Sequence, residues 1–366
     1  MSAITHPVSP ADIQTELNRI WEELQTTNTT RASLFNLIFY TKENHRTAYI
    51  RRIAQKVIEK FPSRVIFVMT GQNASESYLK TEVSILTASK GEFDVACDYI
   101  QIETAGAADA RVPFVVLPHL LPDLPVYLIW AEDPSKENAL STQLSKFANR
   151  IIFDSESADN LPQFAKSALK QVDAAHCDIA DLNWARIENW RDVFSMTFHS
   201  EDKLSQIGNA KKIQITYNAQ ETAFFCHTKI QSFYLQAWLA CQLEWKFTSI
   251  QKSEKELKIL YEGKQGPIEV VLSSTSEKEL PPGVILAIDV MTKNDEHFSF
   301  SRTKEALHQI TLQYSTPSQC DLPCHYMSSK VEAGHSLVKE ICHKGSSQHY
   351  LRVLNLIKEM DTQGLC

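Results

Sequence analysis

Val112–Pro134 reads VPFVVLPHLLPDLPVYLIWAEDP, and the fold turns on how this stretch is parsed. It opens as a dense apolar run, is punctuated by Pro118, Pro122 and Pro125, closes as YLIW and then turns charged. Prolines at that spacing break a long amphipathic helix, because each removes a backbone donor and clashes with the preceding turn. The pattern predicts a short buried helix over Val112–Leu121, a tight turn at Pro122-Asp123 and a buried strand at Val126–Trp130. The strand follows from a short, apolar, partly aromatic run bounded by turn residues. Asp123, between two prolines, fits a cap for neighbouring backbone N–H groups. The alternative places the whole segment at the carboxyl edge of a parallel sheet, where open α/β folds bind ligands and partners.

A strand-helix-strand pattern surrounds this core. Leu34–Tyr40 (LFNLIFY) reads as a first buried strand, Glu43–Phe61 as a helix with Arg46, Arg51, Arg52, Lys56 and Lys60 outside, and Val65–Met69 as a second strand. Strand, helix and strand in that order form a right-handed βαβ unit. Ahead of them, Ser9 and Pro10 start a helix with an apolar face at Ile13, Leu17, Ile20, Trp21 and Leu24, and Thr26–Ser33 is a polar break. Glu82–Thr87 and Phe93–Glu103 pair through Ser89-Lys90-Gly91. Asn138–Ala148 and Leu161–Ala175 are helices on either side of a short strand at Arg150–Phe153. Asp181 then reads as the N-cap of one long helix, DLNWARIENWRDVFSMTF, with Ile187, Trp190, Phe194 and Phe198 on one stripe. Arg186 and Trp190 are four apart, so the guanidinium can lie over the indole.

At 366 residues the chain is long for one core, so two domains are expected, at 1–200 and 201–366. The first is a Rossmann-like doubly wound α/β domain ending in the Trp-rich helix. The second is α+β: a strand at Ile213–Tyr217, a helix over Thr228–Trp245 buried on more than one side, short strands from Lys246 to Tyr314, and closing helices at Val331–Cys342 and Gln348–Asp361. Hydrophobic content of 43% and charged content of 22% are those of a folded soluble protein. The net charge of −7 and the lack of a basic stripe argue against a nucleic-acid partner. No apolar run reaches roughly 18 charge-free residues, so no membrane span is expected. The first residues lack the basic-then-apolar order of a secretory signal, and the 8 scattered cysteines suit reduced thiols in a cytoplasm.

Chemistry is sparse. Thr70-Gly71-Gln72-Asn73 follows a strand, but it carries no G-x-G-x-x-G or GK[ST], and the chain has only 10 glycines. The close backbone approach a phosphate needs is not provided for, and no cofactor is expected. G-x-S-x-G, H-E-x-x-H and the kinase motifs are absent. Cys320, Cys324 and His325, with His335, Cys342, His343 and His349 downstream, supply zinc-ligand residue types without the paired spacing of a zinc site. A Cys320–Cys324 disulfide and ordinary thiols are the alternatives. Glu132-Asp133, after the strand ending at Trp130, are paired carboxylates suited either to acid–base work or simply to solvating a loop. Trp184 and Trp190 either lock their helix onto the first domain or, with an arginine, form a partner surface.

Three stretches together resemble one family. SRVIFVM at Ser63–Met69, LLPDLPVYLIW at Leu120–Trp130 and DLNWARIENWR at Asp181–Arg191 are similar, in order, to a strand, a turn-strand and a helix of the OpcA family, the glucose-6-phosphate dehydrogenase assembly proteins. The resemblance covers roughly residues 30–200; the second half is similar in layout. It implies a non-catalytic protein that binds glucose-6-phosphate dehydrogenase, promotes its active oligomer and so controls entry to the oxidative pentose phosphate pathway. Redox control through cysteine occurs in some photosynthetic members, but no matching cysteine motif is present here. The candidate partner surface is Pro122, Asp123, Pro125 and Trp130 together with Trp184, Arg186, Trp190 and Arg191. The rival readings are a sugar-phosphate enzyme of the same pathway, using Arg111, Glu132 and Asp133, and a metal-dependent regulator built on the C-terminal Cys/His cluster.

Overall fold

A computed structural model describes residues 5–24, 29–71, 77–90, 93–136, 138–175, 177–253, 256–327, 335–343 and 345–360. The chain divides into two compact units. One comprises Met1–Ser157, Lys170–Leu182 and Ala333–Ser346; the other comprises Ala158–Leu169, Asn183–Glu332 and Ser347–Cys366.

The first unit is built on strands β1 (His6–Val8), β2 (Thr29–Arg31), β3 (Asn36–Lys42), β4 (Arg64–Thr70), β5 (Tyr78–Lys90), β6 (Phe93–Ala105), β7 (Val126–Trp130), β8 (Arg150–Phe153) and β9 (Asp178–Asp181). The helices α1 (Ile13–Leu24), α2 (Thr47–Lys60), α3 (Val112–Val116) and α4 (Ala139–Leu144) are interleaved with them, and α5 (Leu161–Ala175) belongs to this unit from Lys170 on. The sheet order is β1-β5-β6-β4-β3-β7-β8-β9, with β2 beside β6. From β6 to β9 every pairing is parallel. Numbered along the chain, these parallel strands lie 3-2-1-4-5-6, the doubly wound dinucleotide-fold order. β3 and β4 are buried almost throughout, as parallel strands covered on both faces must be. β6 is reached from β4 through the long antiparallel β5 rather than a crossover helix.

The Pro-rich stretch folds as α3 followed by a 3₁₀ turn at Leu117–His119, where Pro118 interrupts the α-helix, then the turn and β7. The turn lies at the amino edge of the sheet, not the carboxyl edge, because it feeds Val126, whose register partner is Asn36, the first residue of β3. Asp123 does not cap it. It adopts φ 64°, a left-handed conformation that Asp tolerates, and among the described residues it makes no side-chain hydrogen bond. Asn36 supplies the missing partner: its Oδ1 accepts from Leu121 N at 2.7 Å, and its Nδ2 donates to Leu121 O at 3.0 Å and Leu124 O at 3.2 Å. Beside it, the buried Arg64 donates to Asp98 through Nε at 2.9 Å and to His119 O at 2.9 Å. Asp98 also accepts from Arg31 and from Trp21 Nε1.

After Ala158–Leu169, the second unit continues from Asn183 with α6 (Leu182–Arg186), α7 (Glu188–Thr197) and α8 (Glu201–Gly208). The single helix expected after Asp181 is two, broken at Ile187, and Asp181 ends β9 instead of capping: its carboxylate accepts from Ser155 N and Oγ at 2.9 and 3.0 Å. The sheet comprises β10 (Ala210–Asn218), β11 (Lys246–Lys252), β12 (Glu256–Gly263), β13 (Gly266–Thr275), β14 (Ile285–Thr292), β15 (His297–Thr303), β16 (Ala306–Ser315) and β17 (Cys324–Met327). Its order is β11-β12-β13-β10-β14-β15-β16-β17, antiparallel except for β10 beside β13. Gly266, at φ 112°, closes the β12–β13 hairpin. The central helix α9 (Ile230–Gln242) is buried along nearly its whole length, which is why it is apolar on more than one side. Along α7, Phe194 stacks on Phe300 at 4.6 Å and Phe198 meets Phe298 at 5.1 Å, fixing that helix on β15. Two helices close the chain: α10 (His335–Cys342), within the first unit, and α11 (Gln348–Ile357), whose Tyr350 meets Tyr234 of α9 at 6.0 Å. Residues 331–334 of the expected Val331–Cys342 helix lie outside the described residues.

Replacing Asn36 with Ala strands buried main-chain groups of Leu121 and Leu124, so it should cost about 3 kcal/mol in urea unfolding. Asp123→Gly, which relieves the positive φ, should be neutral or slightly stabilising. Asp98 gives a pH signature. Burial pushes its carboxyl upward, but the Arg64 guanidinium, with Arg31 and Trp21, outweighs that and holds it below the ordinary value. Its stabilisation is therefore complete above roughly pH 4, the unfolded value, and fades as pH falls through the lower folded value. The urea midpoint should drop in that acid window. Asp98→Asn should flatten the drop while lowering stability at neutral pH by about 3–5 kcal/mol.

Candidate functional site

In a 3-2-1-4-5-6 sheet the binding crevice opens where the strand order reverses, at the carboxyl ends of β3 and β7. The register places Tyr40 beside Trp130 there, and their rings stack at 4.0 Å and 6°. Tyr40 Oη pairs with Thr70 Oγ1 at 3.1 Å and accepts from Asn138 Nδ2 at 2.8 Å, while Asn138 Oδ1 caps α4. The loop from β3 into α2 consumes its own amides. Lys42 N donates to Glu132 Oε1 at 2.8 Å, Glu43 N to Thr70 O at 2.7 Å and Asn44 N to Thr47 Oγ1 at 3.1 Å. Arg46 N donates to Asn44 Oδ1 at 2.8 Å and Thr47 N to Asn44 O at 3.1 Å. A phosphate cradle needs such N–H groups open. The five named here are satisfied from within, and one of them, Lys42 N, is taken by the Glu132 carboxylate.

Arg46, expected on the outer face of α2, is buried instead and pairs with the fully buried Asp154 at 2.6 Å. Glu132 and Asp133 do not converge as an acid pair: Glu132 binds the β3 main chain, and Asp133 Oδ1 accepts from Ser135 N at 2.8 Å in its own turn. Arg111 is exposed at the end of the 3₁₀ turn Gly106–Arg111.

The expected partner residues fall into separate places. Pro122, Asp123 and Pro125 are exposed together at the amino edge of the first sheet. Trp130 is buried at the other end of β7, roughly 13 Å along the strand. Close to the turn in sequence, Phe114 and Leu117 are large apolar residues with 77% and 51% exposure. In the second unit Trp184 and Trp190 are both buried. The cation–π pairing differs from the expected Arg186–Trp190: Arg191 lies 3.5 Å over Trp184 and donates to its carbonyl, Arg186 lies 5.2 Å from Phe225, and Trp190 takes Arg302 at 4.8 Å. The break at Ile187 removes the i,i+4 relation on which the expected pair depended. Burial pushes the Arg302 guanidinium down to about 10.

Cys320 and Cys324 are exposed free thiols near or on the edge strand β17. His325 Nδ1 is within 2.8 Å of Gln309 Nε2 and 3.0 Å of Thr311 Oγ1. Among the described residues, Cys320, Cys324 and His325 do not gather with a further ligand into a metal-binding group. The side chain of Cys342 lies outside the described residues.

Sequence profiles of the two domains of the glucose-6-phosphate dehydrogenase subunit family match this chain in succession, the N-terminal domain at residues 54–171 and the C-terminal domain at 177–352. The chain belongs to the OpcA family. A protein named for the OxPP cycle, OpcA of Nostoc punctiforme, is 27% identical over 213 residues, which is 57% of this chain and 43% of that protein. Its namesake in Synechocystis is 29% identical over 151 residues, 41% of this chain and 30% of that one. The matched region thus spans less than half the length of these OpcA relatives. In fold, the chain is similar to the transcriptional regulator Gal80p from Kluyveromyces lactis, with a TM-score of 0.51 at 7% identity over 90% of this chain and 89% of that one.

The occupied amides make a direct prediction for this OpcA member. NAD or NADP at millimolar concentration should leave its melting temperature unchanged, measured by differential scanning fluorimetry. A saturable upward shift would show that the crevice opens to dinucleotides.

Proposed function

We propose that this OpcA-family chain is a non-catalytic partner of glucose-6-phosphate dehydrogenase that favours the enzyme's active oligomer. The observation that carries the reading is the Lys42–Thr47 loop, where the amides of Lys42, Glu43, Asn44, Arg46 and Thr47 are spent on the chain's own acceptors at the place where a dinucleotide enzyme of this topology would hold its cofactor. The carboxylates at the same edge are likewise engaged by main-chain donors, which leaves little for acid–base work. The matched family domains carry the dehydrogenase in their names, and the relatives are named for the OxPP cycle, which supports the choice of partner. Such a protein acts by binding the active oligomer more tightly than the inactive form. About 1.4 kcal/mol of differential affinity shifts the ratio tenfold.

The contact surface we favour is the amino-edge turn with Pro122, Asp123 and Pro125, extended by Phe114 and Leu117. Exposed apolar side chains close in sequence to a proline-flanked turn are the raw material of an interface anchor. Arg186, Arg191, Trp184 and Trp190 are proposed as the frame of a second patch, with the arginines its accessible part.

The test is dehydrogenase activity on glucose 6-phosphate as this protein is titrated into the same organism's enzyme at nanomolar concentration. A saturable rise in rate, with co-elution on a sizing column, is expected. Phe114→Asp and Leu117→Asp, at exposed positions where the fold tolerates charge, should each weaken activation by tenfold or more. No change in rate together with no co-elution would overturn the assignment.

A further inference from the structure

The hairpin of β16 and β17 closes the second sheet and projects from it as an arm. Residues 317–325 are all exposed, and Leu322 among them is 92% exposed. The arm is nevertheless held in one shape. Ser315 and Cys320 form an isolated antiparallel bridge, Asp321 N donates to Tyr314 O at 2.9 Å, and Thr316 N donates to Gln319 O at 2.8 Å. Gln319 Nε2 donates to Asp321 Oδ1 at 2.9 Å. Among the described residues β17 pairs with β16 alone, and the strand carries no Lys, Asp or Glu to guard its outer edge. A preorganised arm of this kind loses little freedom when it binds, and the function proposed above does not use it.

The same unit holds a place for such a leucine. Between α7, α8 and α9 lies an apolar pocket of ≈ 260 Å³, walled by Phe194, Phe198, Leu204, Trp238 and Leu243. An apolar cavity of about 150 Å³ already takes a benzene-sized group, so a leucine side chain fits. Leu322 is too exposed to be seated in the pocket of its own chain. Arm and pocket are neighbours. At the foot of the arm Tyr326 Oη meets Thr197 Oγ1 at 3.3 Å, and the next residue, Phe198, is part of the pocket wall. Lys203, whose ammonium lies 4.6 Å from the Tyr314 ring, stands beside the other strand of the hairpin. The charges match as well. Asp321 precedes Leu322 on the arm, Lys203 precedes Leu204 at the pocket, and among the described residues neither makes an ion pair.

We propose that two copies of this chain exchange these arms. Leu322 of each fills the pocket of the other, and Asp321 of each faces Lys203 of the other across the rim. A second copy is the occupant because arm and pocket stand side by side on one unit, so a single two-fold axis beside Thr197 and Tyr326 seats both arms at once and closes the assembly. Burial of the apolar side chain supplies the attraction, and the charge pair fixes the register. The inference goes beyond the dehydrogenase partnership and does not depend on it.

The test is sedimentation velocity of the full chain alone, from about 1 to 100 μM, in reducing buffer so that the exposed Cys320 and Cys324 cannot cross-link. A reversible monomer–dimer equilibrium is expected. Leu322→Asp, on the exposed arm, and Leu204→Asp, at a pocket residue that is 48% exposed, should each weaken the dimer tenfold or more without lowering the melting temperature. Leu322→Asp carries the test should Leu204→Asp disturb the fold. Asp321→Lys and Lys203→Asp should each weaken the dimer, and the two together should restore it. A monomer at every concentration, or a dimer indifferent to Leu322→Asp, would overturn the exchange. A dimer lost in Leu322→Asp but kept in a folded Leu204→Asp would overturn the pocket as its seat. A monomeric chain whose co-elution with the dehydrogenase is lost in Leu322→Asp would give the arm to that enzyme and overturn the second copy. Because the sedimentation runs contain no dehydrogenase, failure there is distinct from failure of activation.

Discussion

The buried pair Arg64–Asp98 is the constraint on which the first unit depends. Both residues are almost fully enclosed, and each makes more than one bond. Arg64 sits at the start of β4, Asp98 on β6, and the remaining Arg64 donor reaches His119 in the 3₁₀ turn. Arg31 from β2 and Trp21 from α1 complete the carboxylate's coordination. A buried ion pair of this kind is expensive unless every lone pair and donor is used, and satisfying them all demands one arrangement of five chain segments. Asn36 performs the same service one strand away with neutral bonds. Between them the two residues fix the amino edge, and with it the register that brings Tyr40 and Trp130 face to face at the carboxyl edge.

That edge shows a familiar topology with its first crossover loop bonded to the chain's own side chains. The strand order is that of a dinucleotide fold, yet the loop at the point of reversal has exchanged glycine freedom for side-chain satisfaction. Asn44 and Thr47 close the start of α2, Glu132 crosses from the neighbouring loop, and Arg46 is drawn inward to Asp154. The second unit keeps open space instead, between α7, α8 and α9.

Much of this architecture was legible in the sequence. The strands at Leu34–Tyr40, Val65–Met69, Val126–Trp130 and Arg150–Phe153 and the helix at Leu161–Ala175 are apolar or periodic enough to be read locally, and the structure places elements at each, with ends shifted by a few residues. The resemblance to the OpcA family rests on two of these strands, within Ser63–Met69 and Leu120–Trp130, and on Asp181–Arg191. The short edge strands β1, β2 and β17 escaped notice because a three- or four-residue strand is defined by its partner, not its composition. The edge occupied by the Pro-rich turn depends on which end of β7 it feeds, and the apolar run alone suggested the wrong one. Least legible were the bonds that close the crevice. Glu132 meets Lys42 across 90 residues and Arg46 meets Asp154 across 108, and no local pattern records such a meeting. The arginine stacking failed for a related reason: an i,i+4 rule presumes an unbroken helix, and Ile187 interrupts it.

Arg150, at the start of β8, bears on how the chain is made. Its guanidinium is almost fully buried and donates to the carbonyls of Glu340, His343 and Gly345, at and just beyond the end of α10. The last of these acceptors is 195 residues downstream. At about 5–20 residues per second of synthesis, that interval lasts roughly 10–40 s, during which the Asn183–Glu332 segment of the second unit is translated. Throughout that time the first unit has a cation whose acceptors do not yet exist, and the slot for α10 is open. The nascent first unit is therefore a natural client for chaperones on the ribosome, and its final locking follows the synthesis of Asn183–Glu332 rather than preceding it.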